Sequence, residues 1–170
     1  LPLLPEVDVI VAGGGPGGRG AAVMSARCGA RTLLVERYGF LGGMAVSGEV
    51  HPFMSNHLNK QPLDGPVYTE WVEKMRQYRP HKGKDRHISK DAAMLAAEDL
   101  CLEAGVDLLY HHHLADVLVS DGAIDALVLF SKSGLTAARA KVYIDCTGDA
   151  DLAARAGCEF EAGGPSGHCQ

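Results

Sequence analysis

No C-x-x-C pair occurs in this 170-residue chain; its five cysteines, Cys28, Cys101, Cys146, Cys158 and Cys169, are odd in number and widely scattered. That spacing excludes a disulfide framework and a cysteine zinc site. No apolar run approaches the ~20 residues of a membrane span, so a spanning helix is excluded as well. Residues 1–5 lack the basic n-region and long apolar h-region of a secretory signal, although the chain does not begin with Met. These absences lead us to expect a cytoplasmic protein. Nor is there a surplus of positive charge: sixteen Lys and Arg against twenty-one Asp and Glu give a net charge of −5, unlike a general nucleic-acid binder. A small molecule is the expected partner.

Glycine, by contrast, is plentiful. Residues 7–12 form a continuous β-branched run, read as a buried strand, and five glycines with one proline follow within the next six residues. Residues 20–28 are small and helix-compatible, with Gly29 as the stop, and residues 32–35 form a second apolar strand. Strand, turn, helix and strand within about 30 residues make a parallel βαβ unit, whose crossover is right-handed. Gly13, Gly15 and Gly18 fit G-x-G-x-x-G at the position the chemistry needs, after a strand and before a helix. There the first glycine makes the sharp turn, the second lets backbone approach a diphosphate, and the third packs helix on strand. The helix dipole and free N–H groups favour the phosphate charge, so Gly13, Gly15, Pro16, Gly17 and Gly18 are expected to hold it. Eighteen residues after Gly18, Glu36 ends the second strand, placed to accept bonds from ribose hydroxyls. Its carboxylate opposes the 2′-phosphate of NADP, while the adjacent Arg37 weakens that exclusion and offers itself to phosphate or adenine. NAD and FAD share the adenosine diphosphate end, and the fingerprint alone does not separate them.

Farther along, Gly65 and Pro66 mark a helix start with Val67, Trp71, Val72 and Met75 on one face. Residues 49–62 read as irregular and residues 79–90 as a solvated basic loop. Ser89 is a plausible N-cap for a helix over residues 90–104, with Ala93, Leu95, Ala96, Leu100 and Leu102 available for packing and Gly105 closing it. Residues 106–110 give the next strand. Three β-rich runs follow, residues 114–119, 123–130 and 140–144, read as an antiparallel meander, the last run also serving the parallel sheet. The expected fold is α/β: a Rossmann-like parallel sheet with helices on one side and a three-stranded antiparallel meander on the other.

Two segments carry a resemblance. Residues 36–45, ERYGFLGGMA, and residues 143–153, YIDCTGDADLA, resemble FAD-dependent oxidoreductases of the glutathione-reductase-like superfamily, and the likeness runs from residue 7 to about residue 160. It implies FAD as cofactor, with Gly42, Gly43, Met44 and Ala45 on the path from the diphosphate to the flavin and Thr147, Gly148 and Asp149 closing the site. It also implies that the backbone near Leu114 and Ala115 borders the adenine. Where the family usually has alanine and an apolar residue, this chain has Gly17 and Arg19. The physical reading agrees: a meander inserted between parallel strands is foreign to simple NAD domains. Thr147 and Asp149 follow a strand, where ligands of open sheets bind; Asp149 is also placed to start a helix over residues 150–156, the bland account of the same turn.

The resemblance implies a division at residue 160: an FAD-binding domain, then the start of a further segment, without the substrate domain. The expected function is an oxidoreductase that passes a hydride or electron pair between a small molecule and flavin. A non-catalytic nucleotide-binding module and an NAD-linked dehydrogenase are the alternatives. No cysteine lies between Cys28 and Cys101, so a thiol relay beside the flavin is not expected. Of His111, His112 and His113, a strand would put only the first and third on one side, too few for a closed zinc site, and no metal is expected. His51 and His57 follow the flavin-directed loop as candidate general acids or bases. Asp145, at a strand end, is read as bonding backbone.

Overall fold

The computed structural model describes residues 1–50, 57–58, 61–62, 65–78 and 89–164. Strand β1 (Val7–Ala12) runs into helix α1 (Pro16–Arg27), which leads to strand β2 (Thr32–Val35). The helix starts at Pro16, four residues before the expected boundary, because a proline's fixed φ and missing N–H suit the first helical position. Gly29, at φ +89°, turns the chain out of it. β1 and β2 pair in parallel from Val9 opposite Thr32 to Ala12 opposite Val35.

A two-residue antiparallel pair, β3 (His57–Leu58) and β4 (Gln61–Pro62), precedes helices α2 (Pro66–Gln77) and α3 (Lys90–Glu103). Strand β5 (Asp107–Leu109) then pairs with β2. The meander follows: β6 (His113–Ser120), β7 (Ala123–Ser131) and β8 (Gly134–Ala138). Its third strand is therefore β8, which the sequence reading missed, and not residues 140–144. That later run is β9 (Ala140–Asp145), which pairs in parallel with β1 and completes the order β5-β2-β1-β9. The physical reason for the miss is plain: GLTAA carries one β-branched residue, and its strand conformation comes from pairing with β7.

The two faces of the central strands bury against different layers. Val9, Val11 and Leu34 pack towards the helices with Ala22, Val23 and Trp71, while Ile10, Leu33 and Val35 pack towards the meander with Leu127 and Leu129. Alternation along a strand produces this division, and it gives the expected α/β architecture, helices on one side and the antiparallel sheet on the other.

Helix α3 corrects one packing expectation. Leu95 and Leu102 are 48% and 54% exposed, and the buried face is Ala92, Ala93, Ala96, Ala97, Leu100 and Cys101. A face of small residues lets α2 approach closely, so that Trp71 is enclosed and its indole N–H donates to Ala93 O at 3.0 Å. The guanidinium of Arg19 lies 4.1 Å above the Trp71 ring and is 2% exposed. Its charge meets the face of an aromatic ring. Burial pushes its pKa down to about 10, and burial likewise pushes the neighbouring Cys101 thiol up to about 11.

Candidate functional site

Parallel pairing brings the carboxyl ends of β1, β2 and β9 to one edge, and a cleft of about 1100 Å³ opens there. The turn after β1 forms its floor. No side chain caps the first turn of α1, so its leading N–H groups remain available to an anion in the cleft.

The glycines of this turn divide by cause. A Cβ on Gly13, whose φ is +100°, would lie 2.3 Å from Cys146 O; on Gly14 it would lie 2.5 Å from a Leu41 methyl; on Gly18, 1.7 Å from Gly13 O. Backbone atoms require glycine at positions 13 and 18, while at Gly14 the buried Leu41 methyl and the Glu36 carboxylate fill the space. At Gly15 the nearest atom to such a Cβ is Gly43 Cα at 3.9 Å, and at Gly17 it is Cys146 Sγ at 3.8 Å, both ordinary contacts. Yet Gly15 and Gly17 line the cleft, and neither has positive φ. Nothing within the described protein explains their bareness.

Glu36 is 6% exposed and lines the same cleft. Its Oε2 accepts from Gly14 N at 2.6 Å and its Oε1 from Tyr38 N at 2.8 Å. An ionised carboxylate has about four acceptor positions, so two remain for ribose hydroxyls. The sequence reading missed this bracing role, for which the side chain must meet a backbone amide twenty-two residues earlier. Arg37 also lines the cleft, with its guanidinium 4.9 Å from the Tyr38 ring centroid.

On the far wall, Asp145 ends β9 and organises the turn that follows. Its Oδ1 accepts from Thr147 N and the Thr147 hydroxyl, and its Oδ2 from Ala153 N at 2.8 Å; Thr147 Oγ1 in turn accepts from Asp151 N at 2.8 Å. The start of helix α4 (Asp151–Arg155) is thus held by Asp145 and Thr147, not by Asp149, whose expected capping role is corrected. Ala150 stands at the N-cap position at φ +57°, one residue past Asp149, which places the bonding side chains upstream.

Burial pushes the Asp145 carboxyl up, but the bonds from Ala153, Thr147 and Leu152 outweigh it and hold the carboxyl below its ordinary value of 3.8. A depressed carboxyl stabilises the fold above its unfolded value and loses that contribution as pH falls through the folded one. Asp145→Asn is therefore expected to cost about 2 kcal/mol at pH 7, with the gap to wild type narrowing below about pH 4. Thermal melts across pH 2–7 check this; a gap independent of pH would assign the loss to shape instead.

The cleft also receives Pro16, Gly43, Met44, Thr147, Gly148 and Asp149, all expected site residues. Gly18, Gly42, Ala45 and Ala115 do not line it. Gly18 packs beneath the turn, and Gly42 at φ +124° sits against the Val46 side chain, where a Cβ would come within 2.3 Å. Ala45 is buried behind the short 3-10 turn Gly43–Ala45. Ala115 falls at a register shift in β6, between Leu114 and Asp116, which leaves Leu114 at the cleft wall instead.

The histidine triple is also rearranged. His111 has φ +56° and lies outside the strand, its ring against Gly39, so the alternation expected to align it with His113 does not apply. His112 and His113 line the cleft. Among the described residues no three His, Cys, Asp or Glu side chains are grouped to hold a metal ion. His51, Cys169 and the side chain of His57 lie outside the described residues. Cys146 lines the cleft, and burial together with the nearby Asp145 charge pushes its thiol up, away from nucleophilic thiolate.

Comparison with known proteins fits this geometry. The soluble pyridine nucleotide transhydrogenase of Mycobacterium tuberculosis is 48% identical over 121 residues, 69% of this chain and 24% of that protein. The thiamine thiazole synthase of Methanococcus aeolicus is 30% identical over 160 residues, 87% of this chain and 57% of that protein. The chain thus spans little more than half the length of the one relative and about a quarter of the other. Among solved structures, L-proline dehydrogenase from P. horikoshii shares the fold with a TM-score of 0.62 at 15% identity, over 95% of this chain and 58% of that one. Among the described residues no helix is long and apolar enough to cross a membrane. A family model described as FAD dependent oxidoreductase matches residues 8–170, and the chain belongs to that family, with FAD as its cofactor.

Proposed function

We propose that residues 1–160 form the FAD-binding unit of a flavin-dependent oxidoreductase of the glutathione-reductase-like superfamily, acting on a small molecule. The observation that carries this reading is Gly15: it lines the cleft, its φ is −71°, and no protein atom there requires glycine. A ligand that must approach main chain closely does require it. Together with the uncapped N–H groups of α1, it suits a diphosphate. Glu36 would hold the ribose with its two remaining acceptor positions, Arg37 would meet phosphate or adenine, and Gly43 and Met44 would border the path towards the flavin. Thr147, Gly148 and Asp149 would close the opposite wall, in a turn fixed by Asp145. When bound, FAD supplies the redox chemistry, taking up or releasing an electron pair. The chain's own part is to grip the phosphates, orient the adenosine end and keep that wall rigid. A cytoplasmic setting suits the thiols of Cys28, Cys101, Cys146 and Cys158, all unpaired.

Gly15→Ala separates this reading from a purely structural turn. Gly15 is extended at φ −71° and ψ −173°, a conformation alanine adopts without strain, and the added methyl would meet Gly43 Cα only at 3.9 Å. The variant should melt at or slightly above the wild-type temperature yet bind FAD about tenfold or more weakly, because the methyl intrudes on the diphosphate seat. Flavin-fluorescence titration and a thermal melt read the two effects. Unchanged affinity would remove the phosphate role from Gly15.

A further inference from the structure

One side chain in the cleft has its hydrogen-bonding sense set in advance. His112 Nδ1 lies 2.7 Å from Tyr110 O. A carbonyl oxygen only accepts, so Nδ1 carries the proton, and in the neutral imidazole Nε2 is left as a bare acceptor. The half-buried ring lines the cleft, and among the described residues nothing donates to Nε2. Its location follows from the backbone. His112 N donates to Glu36 O at 3.1 Å, and His111 N donates to Tyr38 O at 3.1 Å. Glu36 therefore stands between two neighbours: Gly14 on the side of the phosphate turn, bonded through the carboxylate, and His112 on the other. If the ribose lies at Glu36 and the diphosphate at the glycine turn, the base extends towards His112.

We propose that His112 Nε2 accepts a hydrogen bond from the exocyclic amine of adenine, making His112 the residue that selects the base of the dinucleotide. This rests on the FAD reading above. A purine with a carbonyl at that position would set two acceptors against each other, whereas the amine of adenine meets an acceptor already held in place by Tyr110. Arg37, Tyr38, His113 and Leu114 line the surrounding wall.

The test compares two ligands, FAD and its deaminated counterpart, flavin hypoxanthine dinucleotide, by quenching of flavin fluorescence. The wild-type chain should bind FAD about tenfold more tightly, as expected for one hydrogen bond replaced by an acceptor–acceptor mismatch. His112→Phe should lose the preference, binding both within about threefold. His112→Gln, whose amide can present either its oxygen or its NH2, should also accept both, and it serves if the phenylalanine variant melts early. Equal affinity of the wild type for the two dinucleotides would overturn the assignment, as would a preference that survives in His112→Phe. If the wild type binds neither, the FAD reading itself fails, an outcome distinct from binding without discrimination.

Discussion

Gly18→Ala is expected to destabilise the fold by about 3 kcal/mol or more, lowering the melting temperature by roughly 6–12 °C, the upper range for overpacking in a domain of this size. The added methyl would sit 1.7 Å from Gly13 O, 2.9 Å from Gly13 C and 3.3 Å from Cys146 Cβ. Two of these atoms belong to backbone that cannot give way cheaply. Gly13 N donates to Val35 O at 2.8 Å, and Cys146 N donates to Ala12 O at 2.8 Å, so the turn is tied to β2 on one side and β9 on the other. Relief of the clash requires either moving α1 off the sheet or breaking those ties. The neighbouring Gly17→Ala has the opposite expected sign on stability, since its methyl meets only Cys146 Sγ at 3.8 Å and alanine in a helix is favoured over glycine by about 0.5–1 kcal/mol. Circular-dichroism melts of the pair therefore provide an internal control, and a Gly18→Ala melting point within about 2 °C of wild type would show that α1 is not seated on the turn as described.

Glu36→Ala is expected to cost about 2–4 kcal/mol of stability and also to weaken FAD binding. The loss has two sources. Removing the carboxylate strands Gly14 N in a buried setting and Tyr38 N in a half-buried one, each an N–H deprived of a charged acceptor. It also takes away the acceptor positions assigned to ribose. Glu36→Gln distinguishes the sources, because an amide oxygen can keep one backbone N–H while its NH2 group faces the other donor. That variant should lie between wild type and Glu36→Ala in stability. An Ala variant as stable as wild type would contradict the bracing geometry, and a destabilised variant with full FAD affinity would remove Glu36 from the ribose site while leaving its bracing role intact.

The legible parts of this fold are those whose determinants lie close together in the chain. β1 and β2 appear as apolar runs, Gly29 and Gly105 end α1 and α3 at positive φ, and Ser89 caps α3 through its hydroxyl. Glu36 could be singled out by its spacing from Gly18. The second duty of Glu36 was hidden, since bonding Gly14 depends on β1 and β2 being parallel neighbours. The same is true of the α4 cap. Asp149 stands where a local capping rule would place it, but Asp145 and Thr147 reach over the turn and take the amides first. His112 carried no pattern of its own within the triple; Tyr110 O and the end of β2 give it meaning.

By itself the sequence determined that a strand, a glycine turn, a helix and an acid-tipped strand follow one another, because capping, φ preference and apolar periodicity are properties of neighbouring residues. Tertiary structure alone decided that residues 140–145 leave the meander for the edge beside β1, and that the small face of α3 turns inward beneath Trp71. It also decided which glycines answer to the protein and which to the cleft. Those outcomes depend on atoms distant in the chain meeting within 4 Å, and strand pairing and close packing create such meetings only once the whole sheet has formed.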